Sequence, residues 1–567
     1  MLKTHKRCRS FVVTLALVLA FFVLAQTLTA QTIPADAVAS CPVPAATFNS
    51  WFQSGTPSLN GVVNPADSLH FPNIPNCTFY QWSEQMFLWL TSPAPTRYGG
   101  GSHIFASPTF FDISSPDANG NRTFIQHRPG LINILGVRAA KPGPDMLPVI
   151  FNKQGKMFEV AKPQLSKAGK PLVLGAAGKQ IAASRIVIRN KRAVFLDNAG
   201  KPIPNARPLA AKRPITRAIH PVGLKKATLA QKFMVNGRPV FIDPSGNVID
   251  TEGGQADGSV LEAQNHSLIY YAIMVNDVYA YFLTGAKDNA ITPAPTQFPT
   301  TQADLTKITT FASAHNKTFP DPNTLAVEVK TAWIDASQLP NANQYITTQA
   351  TIPTYNTSNP NQWVPIGTKT ATLALVSMHV VGSTSGHPEM IWATFEHFGN
   401  SPNAMYTYNS TSGLKTVAQN TAGAWLFSAS NSSGPFNQPH MSLGANNSIV
   451  SVSPFSISPS DTMRMFPFGM PPGSTSSNTE VISINHSVSS QMPAGDIRNN
   501  YYLVGATWTP FGATPTGTNG VGTNQLANST LETYAQGTNC FSCHVGNMLG
   551  VSSGGLSHIY GVIKPLF

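Results

Sequence analysis

Cys540-Phe541-Ser542-Cys543-His544 stands close to the end of this chain of 567 residues, and only 23 residues follow it. Two thiols at this spacing reach the two vinyl groups of one porphyrin, and the histidine beside the second then lies under the iron. The C-x-x-C-H pattern is the attachment signature of c-type haem. The expected cofactor is one covalent haem c, bound by Cys540 and Cys543 with His544 as proximal ligand. The competing chemistries lack their partners. A thioredoxin-like pair wants a βαβ setting, and a zinc site wants two further ligands at ordered spacing; no second C-x-x-C occurs. A tail this short cannot enclose a porphyrin. Leaving apolar surface in water forgoes roughly 25 cal/mol per Å², so the haem should dock on the body of the chain.

The iron's second axial position has several candidates. His558, fourteen residues past His544, can return over the opposite haem face and ranks first. Met548, four residues on, falls on the proximal side and ranks lower. The segment from Met378 to His397 holds His379, His387 and His397 with Glu389 and Glu396. Strand alternation sets His379 with Leu375 and Ser377, and His397 with Ala393 and Phe395. Imidazoles on adjacent strands can meet if the register allows, so His379 and His397 are the reserve ligands of a haem-facing or metal-binding pocket. The bland alternative is hydrogen-bonded polar residues closing a hairpin.

Lys3, Lys6, Arg7 and Arg9 precede an apolar run from Phe11 to Ala25, and Ala30 offers a small residue for cleavage. This is the pattern of a secretory signal over 1–30. The run falls short of the roughly 20 residues of a spanning helix, and no second span is evident. The expected location is periplasmic or secreted. Of the five cysteines, Cys8 leaves with the signal. Cys41 and Cys77 remain, and an oxidising compartment lets them pair, fastening the N-terminal arm to the first core helix.

Charged residues make up only 11% of the chain, beside 43 Gly and 46 Pro. With abundant Ser, Thr and Asn, this suits a turn-rich, mainly β fold. Residues 78–90 read as a helix, with Tyr80, Ser83, Met86, Phe87 and Leu90 approximating one stripe. The face that holds Trp82 and Trp89 is a core face or a wall of the haem pocket. Ser267–Val275, Thr372–Val381 and Met390–Phe398 read as strands, the last two joined by a loop over 382–389. Residues 400–510 suggest several short strands of a sandwich-like body. Residues 512–528 read as a flexible linker. Ser529-Thr530-Leu531-Glu532 resembles a capping box that starts a short helix in the haem-bearing tail, 529–567.

Residues 131–250 stand apart from the β-rich body at 31–130 and 251–511. They hold 21 Lys and Arg against five Asp and Glu, a net +16, whereas the whole chain carries +12. Apolar strand, turn ending in Gly, and return strand recur from 148, 171, 193 and 239, with room for a degenerate unit near 216. This predicts an inserted array of β-hairpins with a basic surface. Such a surface attracts anionic envelopes, polymers or an acidic redox partner, while export argues against nucleic acid.

The segments Thr78–Pro93, Gly254–Gly285, Leu373–Asn400, Asn499–Trp508 and Leu526–Phe567 resemble an uncharacterised family of large exported bacterial proteins. Its members end in a single C-x-x-C-H and are described as cytochrome c-like. The resemblance implies haem on Cys540, Cys543 and His544, implies no reaction, and omits the basic insert. Electron transfer is the first functional expectation. A peroxidase- or oxidase-type haem enzyme is the alternative, and a polymer- or surface-binding protein with an accessory haem is the second alternative. Two strong axial ligands favour electron transfer, whereas an open position favours catalysis.

Overall fold

The computed structural model describes residues 33–72, 75–115, 121–135, 149–151, 157–161, 163–210, 228–235, 238–249, 259–443, 447–452, 454–470, 474–516, 518–526, 528–537, 539–544, 556–557, 559–560 and 563–567. The expected signal at 1–30 lies outside them. Among the described residues, no helix is long and apolar enough to cross a membrane.

The fold is mainly β, as the composition suggests. Its body is an antiparallel run of β1 (Phe110–Ile113), β2 (Tyr270–Asn276), β3 (Val327–Asp335), β5 (Gln362–Thr384), β6 (His387–His397), β7 (Tyr501–Trp508) and β8 (Val521–Gly522), in that spatial order. A further strand, β4 (Thr347–Asn356), pairs along the first half of β5 and also takes Leu131–Ile132 in parallel. The central strand is 23 residues long rather than short. Its turn into β6 is also tighter than the loop expected over 382–389. Pairing continues to Thr384 opposite His387, and Gly386 adopts φ +77°, a left-handed conformation that glycine takes without strain.

Side chains alternate across this sheet and bury against two separate layers. Met378, Val380, Ile391, Ala393 and Phe395 face one apolar layer. That layer is roofed by α2 (Asn76–Leu90) and α5 (Thr475–Gln491), while Phe87 stacks on Phe395 at 4.3 Å and Phe79 on Trp508 at 3.9 Å. Ile273, Val275, Met390 and Trp392 face the other layer, with α3 (Asp277–Lys287), α4 (Gln302–Ala314) and the C-terminal tail. The preceding short helix, α1 (Ala45–Trp51), joins the first layer through Phe48 and Trp51. Cys41 and Cys77 sit at disulfide distance, with Cα atoms 5.2 Å apart, and tie the N-terminal arm to the first turn of α2.

Two local readings are corrected. Helix α5 falls inside the segment expected to hold only short strands. Its Ser, Thr and β-branched residues are indifferent helix formers, but tertiary burial of Val481, Ile482 and Ile484 overrides propensity. Asn485 also clamps the neighbouring strand, donating to the Leu503 carbonyl at 2.8 Å and accepting from its N–H at 2.7 Å. Residues 512–528 are not a loose linker. Val521–Gly522 pairs with β7, and Thr523 and Leu526 are buried.

The insert builds its own sheets, and one of its cores draws on Val173, Ile186, Phe195, Phe233 and Ile242 from within the segment. The repeat has a common turn. Backbone N–H groups of Gly175, Asp197 and Asp243 each donate to the carbonyl four residues on, at 2.9 Å. Gly178, Gly200 and Gly246 occupy the fourth position at φ +73°, +75° and +85°. Asp197 Oδ1 accepts from the N–H groups of Ala199 and Lys201, and Asp243 Oδ1 from those of Ser245 and Asn247. A further copy at Ser166–Lys170, with Gly169 at φ +73°, escapes the sequence repeat because its flanking strands shrink to a single bridge, Leu165 to Pro171. The unit near 216 lies outside the described residues.

Candidate functional site

The tail reaches the sheet through polar groups before it reaches the motif. Asn528 Nδ2 donates to Thr394 Oγ1 at 3.2 Å, Tyr271 donates to the Thr530 carbonyl at 3.0 Å, and the Thr530 and Ser377 hydroxyls lie 2.6 Å apart. Glu396, fully buried and paired with Arg464, receives the Ser529 N–H. Each bond satisfies a group that burial would otherwise leave costly. The expected capping box of Ser529 and Glu532, and the short helix it would start, do not form, because Ser529 is turned to Glu396. Asn528 Oδ1 accepts from the N–H groups of Thr530 and Leu531, Glu532 Oε2 accepts from that of Asn528, and the segment remains a series of turns without a helix.

The motif itself forms one helical turn, α6 (Cys540–Cys543), closed by the His544 N–H donating to the Cys540 carbonyl at 2.9 Å. Residues three apart on a helix are neighbours, so the two cysteine positions share one side of the turn. Phe541 is buried in the apolar layer, edge-on to Trp392 at 6.3 Å. The His544 ring lies 4.2 Å from Trp392, and its Nδ1 is 2.8 Å from the Leu556 carbonyl oxygen. A carbonyl only accepts, so Nδ1 carries a hydrogen, which in the neutral ring makes Nε2 the acceptor. A metal-ligating histidine commonly has this support, its second ring nitrogen donating to a carbonyl or carboxylate. The support of the His544 ring is the kind that a ligating imidazole needs.

The described residues beyond Leu556 are also bonded to the body. Ser557 donates to Glu328 at 2.8 Å and lies 2.8 Å from the Tyr279 hydroxyl. Burial raises the Glu328 carboxyl to about 7, against the lowering pull of Ser557 and Lys330. Phe567 stacks on His315 at 4.2 Å.

The reserve histidines fall on opposite faces of the sheet. The register pairs His379 with Thr394 and His397 with Tyr501. His379 Nε2 contacts the Glu532 carboxylate at 2.9 and 3.0 Å. Burial pushes that carboxyl up, but His379 and Lys330 outweigh it and hold it down at about 2. His397 stacks on Tyr345 at 3.9 Å and accepts from the Gly399 N–H at 3.1 Å; burial lowers its pKa to about 3. His387 is buried against Glu389 at 2.7 Å, edge-on to Phe79. The paired pocket of His379 and His397 is therefore not formed. Among the described residues, no group of three or more His, Cys, Asp or Glu is placed to hold a metal ion. Helix α2, with Trp82 and Trp89, packs on the face away from the motif and is core rather than haem wall. His558 and Met548 lie outside the described residues.

Trp392 and the Leu556 carbonyl escaped sequence reasoning. Trp392 sits inside the histidine-rich segment, but only the register shows which face it serves, and a carbonyl leaves no mark on residue identity. Fold and site together define a mainly β chain whose C-terminal tail, bonded along one sheet face, presents a Cys-x-x-Cys-His turn. No family model, curated protein or solved structure matches the chain.

Proposed function

We propose that this chain is an exported, c-type cytochrome-like electron-transfer protein and a member of the uncharacterised family it resembles. In this reading Cys540 and Cys543 would hold the haem as thioethers on its two vinyl groups, and His544 Nε2 would ligate the iron. The haem supplies a one-electron couple. The chain's residues orient the imidazole through the Leu556 carbonyl and cover its flank with Trp392. The observation that carries the reading is the 2.8 Å contact between His544 Nδ1 and Leu556, which supports an axial role that the motif alone only suggests. His558 is the proposed sixth ligand, with Met548 behind it.

The exposed Arg185, Arg189, Lys191 and Arg192 of one insert hairpin support an anionic contact, such as an acidic redox partner. The test is expression with a c-type maturation system followed by haem staining of a denaturing gel. Covalent pigment is expected in the wild type and none in the Cys540→Ala, Cys543→Ala double variant. An unstained wild type defeats the proposal.

A further inference from the structure

A cleft of about 640 Å³ opens at the end of the sheet where β2 begins and β3 ends, remote in sequence from the haem motif. That volume lies within the roughly 300–1,000 Å³ of small-molecule sites. Its apolar lining includes Tyr270, Tyr355, Trp363, Leu268 and Ile457. Tyr270 and Trp363 are buried and held by the surrounding sheet, while Tyr355 is half-buried at the end of β4. Rings fixed in this way offer apolar faces whose ordering cost folding has already met.

Each carboxylate of the polar lining has a basic side chain beside it. Asp335 Oδ2 pairs with Lys369 Nζ at 2.6 Å, and Glu262 Oε1 lies 3.0 Å from His266 Nδ1. Burial pushes the Asp335 carboxyl up, but Lys369 and Ser337 outweigh it and hold it low. Burial pushes the Glu262 carboxyl up, with His266 opposing. An anionic ligand would meet two carboxylates, and a cationic one would compete with Lys369 and His266 for them. Glu262 Oε2 is buried and has no hydrogen-bond partner among the described residues.

From this combination we infer that the cleft binds a neutral saccharide, its ring face against Tyr355, beside the largely buried Tyr270 and Trp363, and its hydroxyls on Asp335 and Lys369. The inference does not rest on the haem reading. It gives the body a binding role separate from the tail.

The test is calorimetry on the full-length chain. The probes are neutral cello-, malto- and chito-oligosaccharides, with uronic-acid oligomers as anionic and chitosan oligomers as cationic counterparts. At least one neutral series should saturate with a Kd on the order of 1 mM or tighter, and roughly tenfold tighter than either charged counterpart. Trp363→Leu and Tyr355→Leu should each weaken it severalfold with unchanged circular dichroism. If Trp363→Leu misfolds, the less buried Tyr355→Leu decides. Lys369→Ala should shift preference toward the cationic oligomer, because Asp335 loses its partner. The inference is overturned if no neutral oligomer saturates, if a charged one binds preferentially, or if Tyr355→Leu leaves binding unchanged.

Discussion

His379 and Glu532 are 153 residues apart in the chain, yet His379 Nε2 lies 2.9 Å from the Glu532 carboxylate and fixes the start of the C-terminal tail to the central strand. Lys330 reaches the same carboxylate at 3.4 Å from the neighbouring strand. A histidine that the sequence offers as a reserve iron ligand thus serves to anchor the tail.

The pair gives a pH dependence with a definite sign. The folded Glu532 carboxyl sits at about 2, below the roughly 4.3 of an unfolded glutamate. Its stabilisation is fully present above the unfolded value and is lost as pH falls toward the folded one. Tail protection in hydrogen exchange should therefore decline between about pH 4.5 and 2. His379→Ala should cost about 1.5–3 kcal/mol, the range for a hydrogen bond to a charged group, and should flatten that decline. An acid limb of unchanged shape in His379→Ala would remove the pair from the explanation.

Glu396 and Arg464 form a fully buried ion pair directly beneath Ser529. Removing one partner of such a pair strands a charge and typically costs about 3–5 kcal/mol. Glu396→Ala should lower the thermal midpoint markedly and loosen the tail, whereas Glu532→Gln should loosen the tail with a smaller global effect. Equal losses from both variants would contradict the separation between core and anchor.

The insert's internal core implies that the body folds without it. Deleting residues 140–250 keeps Leu131–Ile132 paired with β4, so covalent haem should still form and the body should retain its melting transition. Salt-sensitive retention on anionic beads should fall away. Retention unchanged by the deletion would deny the segment any recognition role.

Much of this architecture is legible in the sequence where local chemistry decides it. The aromatic stripe marks α2, the Gly-ended turns mark the hairpin array, and the two cysteines outside the expected signal and the C-x-x-C-H motif mark the Cys41–Cys77 pair. Legibility stops where tertiary register decides. His379 and His397 differ by 18 positions on a long hairpin, and their faces depend on which residue opposes which. Helix α5 is hidden because burial of its Val and Ile residues overrides weak propensity. Residues 512–528 look like a linker because Thr, Asn and Gly favour loops, yet the same side chains bond the segment to the sheet, as Thr523 Oγ1 does to the Ala506 carbonyl at 2.9 Å.

If the proposed haem is bound, its iron ligands distinguish the tail from the body. In the holoprotein, His558→Ala should convert a low-spin electron-resonance signal to high-spin, while His397→Gln, on the far face of the sheet, should leave it untouched. A low-spin signal that survives His558→Ala would place the sixth ligand elsewhere.

The most direct measurement is the absorption spectrum of the protein's alkaline pyridine adduct after reduction and removal of all extractable haem. One haem per chain is expected to remain, with the α-band position of a porphyrin whose two vinyl groups have both become thioethers. A haem that leaves on extraction, or a band of unmodified vinyl groups, would contradict attachment through Cys540 and Cys543.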